Sequence, residues 1–403
     1  MSFLNVRDMK TNQPTIFMKI GFDAKRAYKN FTGLGNYSRF ILKSLSQNFP
    51  TNDYLLFTPE VRREAAEISY ACHNTNQKTI TPTDMWKLPG IAGLWRSVFQ
   101  GMKHCESRLD IFHGLSNEIP LFKSKSTKYV VTVHDLLFCR YPELFNPIDV
   151  QIYKLKMARS CRAADQVIAV SEQTKEDLIS YFQIDPAKIK VVYQGAHEIF
   201  NQDVSSAKSQ SVKQKYNLPD RYLLFVSTID KRKNVQLILQ ALKERSDWSL
   251  PLVVVGRPTS YLADLKAYIA EQGLQDKVLF LHNVAFEDLP AVYQMAHVFI
   301  YPSYFEGFGI PIIEAQRMGV PVITSTGSCF REAGGNGALY GAPDDPAALI
   351  AHIDLLSDEN QRESLIQKGY RNIKRFDQQL IAGQLMEIYE EVMQPSLRPV
   401  LAH

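Results

Sequence analysis

The chain is predicted to fold as two α/β domains, each a parallel sheet covered on both faces by helices. Three observations predict this. At 403 residues it is long for one domain, and two is the expectation. Short, continuously apolar runs rich in β-branched residues alternate with helix-period segments, and the series occurs twice. Between the two series, residues 201–214 are polar, rich in serine and lysine and without periodicity, which marks a linker. The domains are therefore expected over residues 18–200 and 215–378.

In the first half, strands are expected at 16–22, 54–57, 110–113, 129–133, 166–170 and 190–193, with helical patterns at 36–46, 150–162 and 172–181. In the second half, strands are expected at 222–226, 252–255, 278–281, 298–301 and 320–324, separated by helices near 235–242, 262–272, 289–294 and 311–318. Two such halves make two Rossmann-like domains. After Pro346 the chain reads as mostly helical, ending in a pattern over 379–392. Open parallel sheets bind ligands at the carboxyl ends of their strands, so the site is expected in the cleft where the two sheets face each other.

Composition narrows the function. Hydrophobic content of 45% and charged content of 22% are those of an ordinary soluble domain. A net charge of +4 suits an anionic ligand or a membrane surface and is too weak to argue for nucleic acid. Five cysteines are scattered, without Cys-x-x-Cys spacing, which suggests neither a disulfide framework nor zinc and fits a reducing cytosol. Residues 1–17 lack the apolar core of a signal peptide and read as a loose extension ahead of Met18. Residues 86–99 mix Trp86, Ile91, Trp95 and Phe99 with Lys87 and Arg96; membrane contact competes there with a buried helix or an acceptor-pocket wall.

The sharpest chemical signal is Glu306-Gly-Phe-Gly-Ile-Pro-Ile-Ile-Glu314. Pro311 is suited to the first helical position, which puts Glu306 in a glycine loop and Glu314 in the first turn of the helix. Bare amides around Gly307 and Gly309 would form an anion site at the positive helix end. Two carboxylates flanking such amides suit a ligand with hydroxyls at both ends and a phosphate between. Arg232-Lys233-Asn234 follows another strand and opens a helix, the placement of a diphosphate clamp. Thr32-Gly33-Leu34-Gly35-Asn36 is a weaker glycine turn at a helix entry. His134 and His113 end two strands and are expected to point into the cleft, with Asp135 beside the first. Ser171 reads as an N-cap, and so does Asp345 ahead of Pro346, in preference to a metal-binding pair with Asp344.

The Glu-x7-Glu arrangement of Glu306 and Glu314, in its Glu-Gly-Phe-Gly setting, resembles the signature of retaining glycosyltransferases of family 4, and the resemblance extends over nearly the whole chain. It implies the GT-B architecture: two Rossmann-like domains facing a central cleft, with a C-terminal helix (379–399) crossing back to the first. It assigns the phosphates of a nucleotide-sugar donor to Arg232 and Lys233, facing Gly33 and Gly35. It assigns the hexose to Glu306 with Gly307, Phe308 and Gly309, and the ribose to Glu314. His134 would stand at the transferred sugar, with His113 and Asp135 on the acceptor side. The resemblance implies no bound metal and no cofactor beyond the donor. Ser227 departs from the glycine that many members carry. The subtype looks most like mannosyltransferases, which favours GDP-mannose; a UDP-sugar stays open. The implied partners are the donor and a glycan or lipid-linked glycan acceptor, with the enzyme in the cytoplasm or peripheral at the inner face of the plasma membrane. A nucleotide-sugar 2-epimerase and a catalytically silent nucleotide-sugar-binding protein are the alternatives on the same fold.

Overall fold

The structure, a computed structural model, describes residues 17–30, 33–61, 76–81 and 107–394. Two wholly parallel sheets organise them. The first comprises β1 (Lys19–Asp23), β2 (Asp53–Phe57), β3 (Gln77–Ile80), β4 (Ile111–Gly114), β5 (Lys128–Val133), β6 (Gln166–Ala169) and β7 (Ile189–Val191), in the order β3-β2-β1-β4-β5-β6-β7. The second comprises β8 (Leu223–Val226), β9 (Leu252–Val255), β10 (Val278–Leu281), β11 (Val298–Tyr301), β12 (Val322–Ser325) and β13 (Ala338–Gly341), in the order β10-β9-β8-β11-β12-β13. In both, the order reverses beside the first strand, which opens a crevice at the carboxyl ends of β1 and β4 and of β8 and β11.

The central strands are legible because helices cover both faces. Every residue of β4, β6, β9, β11 and β12 is buried, so each must be apolar or internally bonded throughout. Two strands escaped the sequence reading, and both lie at sheet edges. β3 (Gln-Lys-Thr-Ile) is largely polar and β13 ends in glycine. An edge strand packs against one neighbour only and needs no continuous apolar run.

The polar stretch 201–214 is not an irregular linker. After a short turn at Glu198–Asn201 it forms the helix Ser206–Tyr216, capped by Ser205, whose hydroxyl accepts the Lys208 N–H. Val212 is its one buried residue, too thin a stripe to show as periodicity. Ion pairs anchor it instead: buried Asp288 receives Lys208, Lys215 at 2.8 Å and the Tyr216 hydroxyl at 2.9 Å.

The last helix, Gln378–Met393, crosses back as expected. Its buried face (Ile381, Leu385, Met386, Ile388, Tyr389) lies on the first domain. Gln378 bonds Gln47 at 2.8 Å, and the Tyr389 hydroxyl meets His113 at 2.6 Å. Where the domains meet, Tyr193 stacks on Phe308 at 5.4 Å and Phe376 closes on Phe308 edge-on at 5.6 Å. The expected extension 1–17, but for Phe17, the amphipathic stretch 86–99 and residues 395–399 lie outside the described residues.

Candidate active site

From the carboxyl end of β8 the chain runs through Asp230 into the tight turn Lys231–Lys233, and the Asp230 carboxylate caps that turn by accepting the Lys233 N–H. Asn234 then takes the left-handed conformation at φ 60°. Its side-chain amide donates to the carbonyls of Pro302 (3.1 Å) and Pro343 (2.6 Å), which ties together the loops after β8, β11 and β13. The asparagine of the Arg-Lys-Asn element thus fixes the frame on which its two cations stand.

Those cations converge on one carboxylate. Lys233 Nζ lies 2.5 Å from Glu306 Oε1 and 3.0 Å from the Tyr301 hydroxyl. Arg232 Nη1 lies 2.9 Å from the same oxygen and donates to the Phe305 carbonyl. The three side chains are only 16%, 9% and 12% exposed for Arg232, Lys233 and Glu306. Burial alone would raise the Glu306 pKa, but Lys233 and Arg232 overcome it and hold the carboxyl at about 2. Burial lowers the Lys233 pKa while Glu306 pulls it back up. Burial also opposes the charge on Arg232, and the carboxylates of Glu306 and Asp230 more than offset that. A carboxyl held this acidic is ionised at neutral pH, and it faces both cations.

The loop carrying Glu306 is clamped from β12. Ser328 Oγ accepts the Glu306 N–H (3.3 Å) and donates to its carbonyl (2.9 Å), and Cys329 Sγ donates to the Phe308 carbonyl at 2.8 Å. Gly309 has φ 112°, a conformation that favours glycine, and it is the N-cap of the helix Ile310–Arg317. Because this helix starts at Ile310, Pro311 is its second residue and Glu314 its fifth, so Glu314 sits one residue past the first turn in which it is expected. The Tyr293 hydroxyl donates to its Oε2 at 2.9 Å, and burial pushes its pKa up to about 7 against that bond.

Gly307 is where the second domain touches the first. A Cβ there would stand 2.0 Å from the His134 carbonyl oxygen, so only glycine permits this approach. Ser171 Oγ donates to the Gly307 carbonyl at 2.7 Å while also capping its own helix, Glu172–Phe182, by accepting the Thr174 N–H. A second clasp lies beside it, where the Glu332 carboxylate accepts the N–H groups of Glu172 (2.7 Å) and Gln173 (3.2 Å).

His134, 5% exposed, pairs its Nε2 with the Leu115 carbonyl at 2.8 Å and meets the Tyr37 ring edge-on at 4.6 Å. A carbonyl can only accept, so Nε2 carries the hydrogen and Nδ1 the lone pair. Burial lowers the His134 pKa and Arg26 adds to this, against the Leu115 bond and Asp135, so the ring is neutral at neutral pH. Asp135 does not orient that ring; its Oδ1 accepts the Leu137 N–H at 3.0 Å.

His113 departs from expectation outright. It is fully buried, with its two ring nitrogens 2.6 Å from the Tyr389 hydroxyl and 2.8 Å from Thr132 Oγ1, and burial pulls its pKa to about 3. Nδ1 holds the crossing helix through Tyr389 and Nε2 holds β5 through Thr132, so neither is left for an acceptor. Phe308 is likewise taken up by the interdomain aromatic stack. Gly35 is set by backbone packing, since a Cβ would meet the Asn30 carbonyl at 1.7 Å, while the space around Gly33 is open. Asp345 is the N-cap expected, accepting the Ala348 N–H at 3.0 Å.

The structure therefore gathers Arg232, Lys233 and Glu306 into one cluster, with Gly307 linking it to His134 and Asp135. Glu314 stands apart against Tyr293. Sequence reading missed Tyr301, Ser328, Glu332 and the cross-domain role of Ser171. Ser328 and Tyr301 were traceable in principle, since both lie at or just past carboxyl strand ends. Glu332 was not, because its partner is 160 residues away.

Comparison with known proteins agrees with this architecture. Residues 34–198 match the family model for glycosyltransferase family 4, and residues 207–372 that for glycosyl transferases group 1. The chain is 33% identical over 247 residues to the O-antigen chain mannosyltransferase RfbU of Salmonella typhimurium, covering 60% of this chain and 65% of that one. It is 31% identical over 287 residues to the O-antigen chain mannosyltransferase B of Escherichia coli, covering 70% and 74%. A solved glycosyltransferase from Rickettsia africae shares the fold with a TM-score of 0.73 at 19% identity, over 94% of this chain and all of that one. WaaG, a glycosyltransferase involved in lipopolysaccharide biosynthesis, superposes with a TM-score of 0.67 at 16% identity, over 92% and 99%.

Proposed function

Since this chain belongs to the glycosyltransferases of family 4 and group 1, we propose that it is a retaining hexosyltransferase carrying mannose from GDP-mannose to a hydroxyl of a growing surface glycan. One observation carries the reading. Two cations and a carboxylate converge at the carboxyl ends of β8 and β11, one residue from the glycine that meets His134 of the facing domain. Such a corner suits a sugar diphosphate, whose phosphates need fixed cations and whose hexose needs hydroxyl acceptors.

In this reading Arg232 and Lys233 take the diphosphate, and the amides opening the helix Ile310–Arg317 add positive potential. Glu306, already ionised, accepts hydrogen bonds from hexose hydroxyls, and Glu314 accepts them from the ribose. His134 offers a neutral Nδ1 lone pair at the sugar. The leaving phosphate oxygen removes the proton of the attacking hydroxyl on the same face, so the C–O bond to phosphate breaks as the new glycosidic bond forms and the anomeric configuration is kept. This differs from a retaining glycosidase, in which one carboxylate becomes covalently attached to the sugar. Charge on the departing diphosphate is met by Arg232 and Lys233, so the reaction needs no metal ion. The mannosyltransferase relatives support mannose, and their O-antigen role supports an acceptor in surface polysaccharide, carried on lipid at the inner membrane face. Among the described residues no helix is long and apolar enough to cross a membrane.

Thermal stabilisation of the purified protein by nucleotides tests the donor. A ligand at one hundred times its Kd stabilises the folded state by about 2.7 kcal/mol, and GDP is expected to raise the melting point more than UDP or ADP. UDP ranking first would replace the guanine donor. No shift with any of the three would remove the nucleotide-sugar reading. Release of an epimerised free sugar would replace transfer by 2-epimerisation.

A further inference from the structure

The helix Pro147–Ala163 is apolar on two faces, and the fold covers one of them. At 100° per residue Val150, Met157 and Cys161 share the inward side, where they are buried at 3%, 3% and 0% exposure. Ile148, Ile152 and Leu155 fall on the opposite side and are 71%, 42% and 73% exposed. A helix on a globular domain needs one apolar stripe; a second, facing water, serves nothing inside the fold.

The ridge continues past both ends of this stripe. Leu144, 48% exposed, stands in the turn before the helix. Leu121 and Phe122, 50% and 55% exposed, stand in a loop that Arg159 holds to the helix through the carbonyls of Ile119 (3.3 Å) and Pro120 (2.8 Å). The surrounding charge is positive. Segments 118–128 and 143–165 together carry seven Lys and Arg against four Asp and Glu. Lys123 is tied to the Ala163 carbonyl and the Tyr129 ring, and Lys128 pairs with Asp165, so the lysines that serve the ridge are Lys154 and Lys156 flanking Leu155 and Lys125 near Phe122. Glu143 and Asp149 lie at the other end, beside Leu144 and Ile148.

We propose that this ridge docks the enzyme on an anionic lipid bilayer, with Ile148, Ile152 and Leu155 entering the headgroup–acyl boundary and the lysines meeting lipid phosphates. Apolar side chains in a line with lysines alongside complement such a surface on both counts. The placement serves the active site. The segment between β5 and this helix touches the facing domain, where the Arg140 guanidinium lies 5.0 Å over the Phe305 ring and the Tyr141 ring lies 6.0 Å from it. Phe305 adjoins Glu306, so a bilayer under the ridge brings a lipid-carried acceptor to the cleft mouth. This deepens the reading of the chain as a transferase acting on a lipid-linked glycan, and it rests on that reading.

Co-sedimentation of the full chain with vesicles tests it. The probes are phosphatidylglycerol/phosphatidylethanolamine vesicles and phosphatidylcholine vesicles. The wild type should sediment with the first, lose binding as salt is raised, and bind the second weakly. I148S/I152S/L155S should lose at least about tenfold in binding, since three apolar side chains no longer leave water. K154E/K156E should lose binding to the anionic vesicles only. Both variants should keep the wild-type melting point and its shift with GDP, because none of these residues is in the donor site. Should the triple variant misfold, I152Q alone should still weaken binding. The proposal is overturned if the ridge variants sediment like the wild type, if the wild type ignores anionic vesicles, or if ridge substitution instead abolishes a dimer seen by sedimentation velocity. A protein that binds GDP and transfers sugar while ignoring vesicles would sink the ridge alone. One that binds vesicles but no nucleotide would sink the transferase reading alone.

Discussion

Removing Lys233 separates a catalytic clamp from a structural ion pair. In the structure its ammonium is the nearest cation to a carboxylate that is only 12% exposed. The two cations hold Glu306 at about 2, against an ordinary value of 4.5. A carboxyl whose folded pKa is depressed contributes stability above its unfolded pKa and loses it as pH falls through the folded one. Here the contribution is fully present above pH 4.5 and lost toward pH 2, and at 1.36 kcal/mol per pH unit it amounts to about 3 kcal/mol. Lys233→Ala should forfeit a large part of this, in line with the roughly 3–5 kcal/mol seen when a buried pair loses one partner. Lys233→Ala/Glu306→Gln should regain part of the stability, because the Glu306 charge is removed along with its lysine partner, while Arg232 keeps only Asp230, 4.0 Å away. Transfer should behave differently. Loss of one preorganised donor to developing negative charge costs about 10²–10³ in turnover, and the double variant should not recover it. Melting curves and single-turnover rates on the four proteins of the cycle check both halves. If Glu306→Gln restored turnover to Lys233→Ala, or if Lys233→Ala turned over normally, the diphosphate clamp would be refuted and the pair would be structural only.

Glu314 has the opposite linkage. Its folded pKa of about 7 exceeds the ordinary 4.5, so its contribution is present below pH 4.5 and lost as pH rises through 7. Donor-free Glu314→Gln should therefore melt higher than the wild type at pH 8, yet bind donor about tenfold or more weaker for want of charge-assisted bonds to the ribose; unchanged donor affinity would remove Glu314 from the site. His134→Ala should slow transfer far more than it weakens GDP binding, and equal losses in rate and binding would assign the ring to fold support. Gly307→Ala places a methyl 2.0 Å from the His134 carbonyl and so holds the domains apart. It should reduce turnover by about tenfold or more, the scale of loss that follows an ångström of misplacement, with GDP-induced stabilisation kept; normal turnover would show that this contact is not needed in the reactive state.

What was legible in the sequence follows from burial. Strands covered on both faces have no choice but to be apolar, so all of them could be read, β9 (Leu-Val-Val-Val) and β11 to the residue and β4, β6 and β12 to within two residues. At the edges the constraint is relaxed: β10 (Val-Leu-Phe-Leu) is apolar and legible, while β3 is largely polar, β13 ends in glycine, and neither could be read. The helix Ser206–Tyr216 was hidden because Asp288 holds it by charge, and ion pairs leave no periodic trace. At the site, the Arg-Lys and Glu-Gly-Phe-Gly elements were visible because each is a local turn with its own chemistry. His113 was misplaced because a carboxyl strand end can face either the cleft or the domain's own covering helix. Only the position of Tyr389, 276 residues on, decides for the helix. Ser171 looked like an ordinary cap and is one, but its hydroxyl also reaches across to Gly307, a contact between residues 136 positions apart.

The most direct test of retaining, metal-free mannosyl transfer is the anomeric configuration of the product formed from GDP-α-mannose in EDTA. The protein is incubated with the donor and a panel of synthetic mannoside acceptors, and the new linkage is assigned by NMR from its one-bond C–H coupling. An α-linked product, formed at the same rate with EDTA as with added Mg²⁺ or Mn²⁺, is the predicted result. A β-linked product would contradict retention, and activity abolished by EDTA and restored by metal would contradict Arg232 and Lys233 as the groups that stabilise the departing diphosphate.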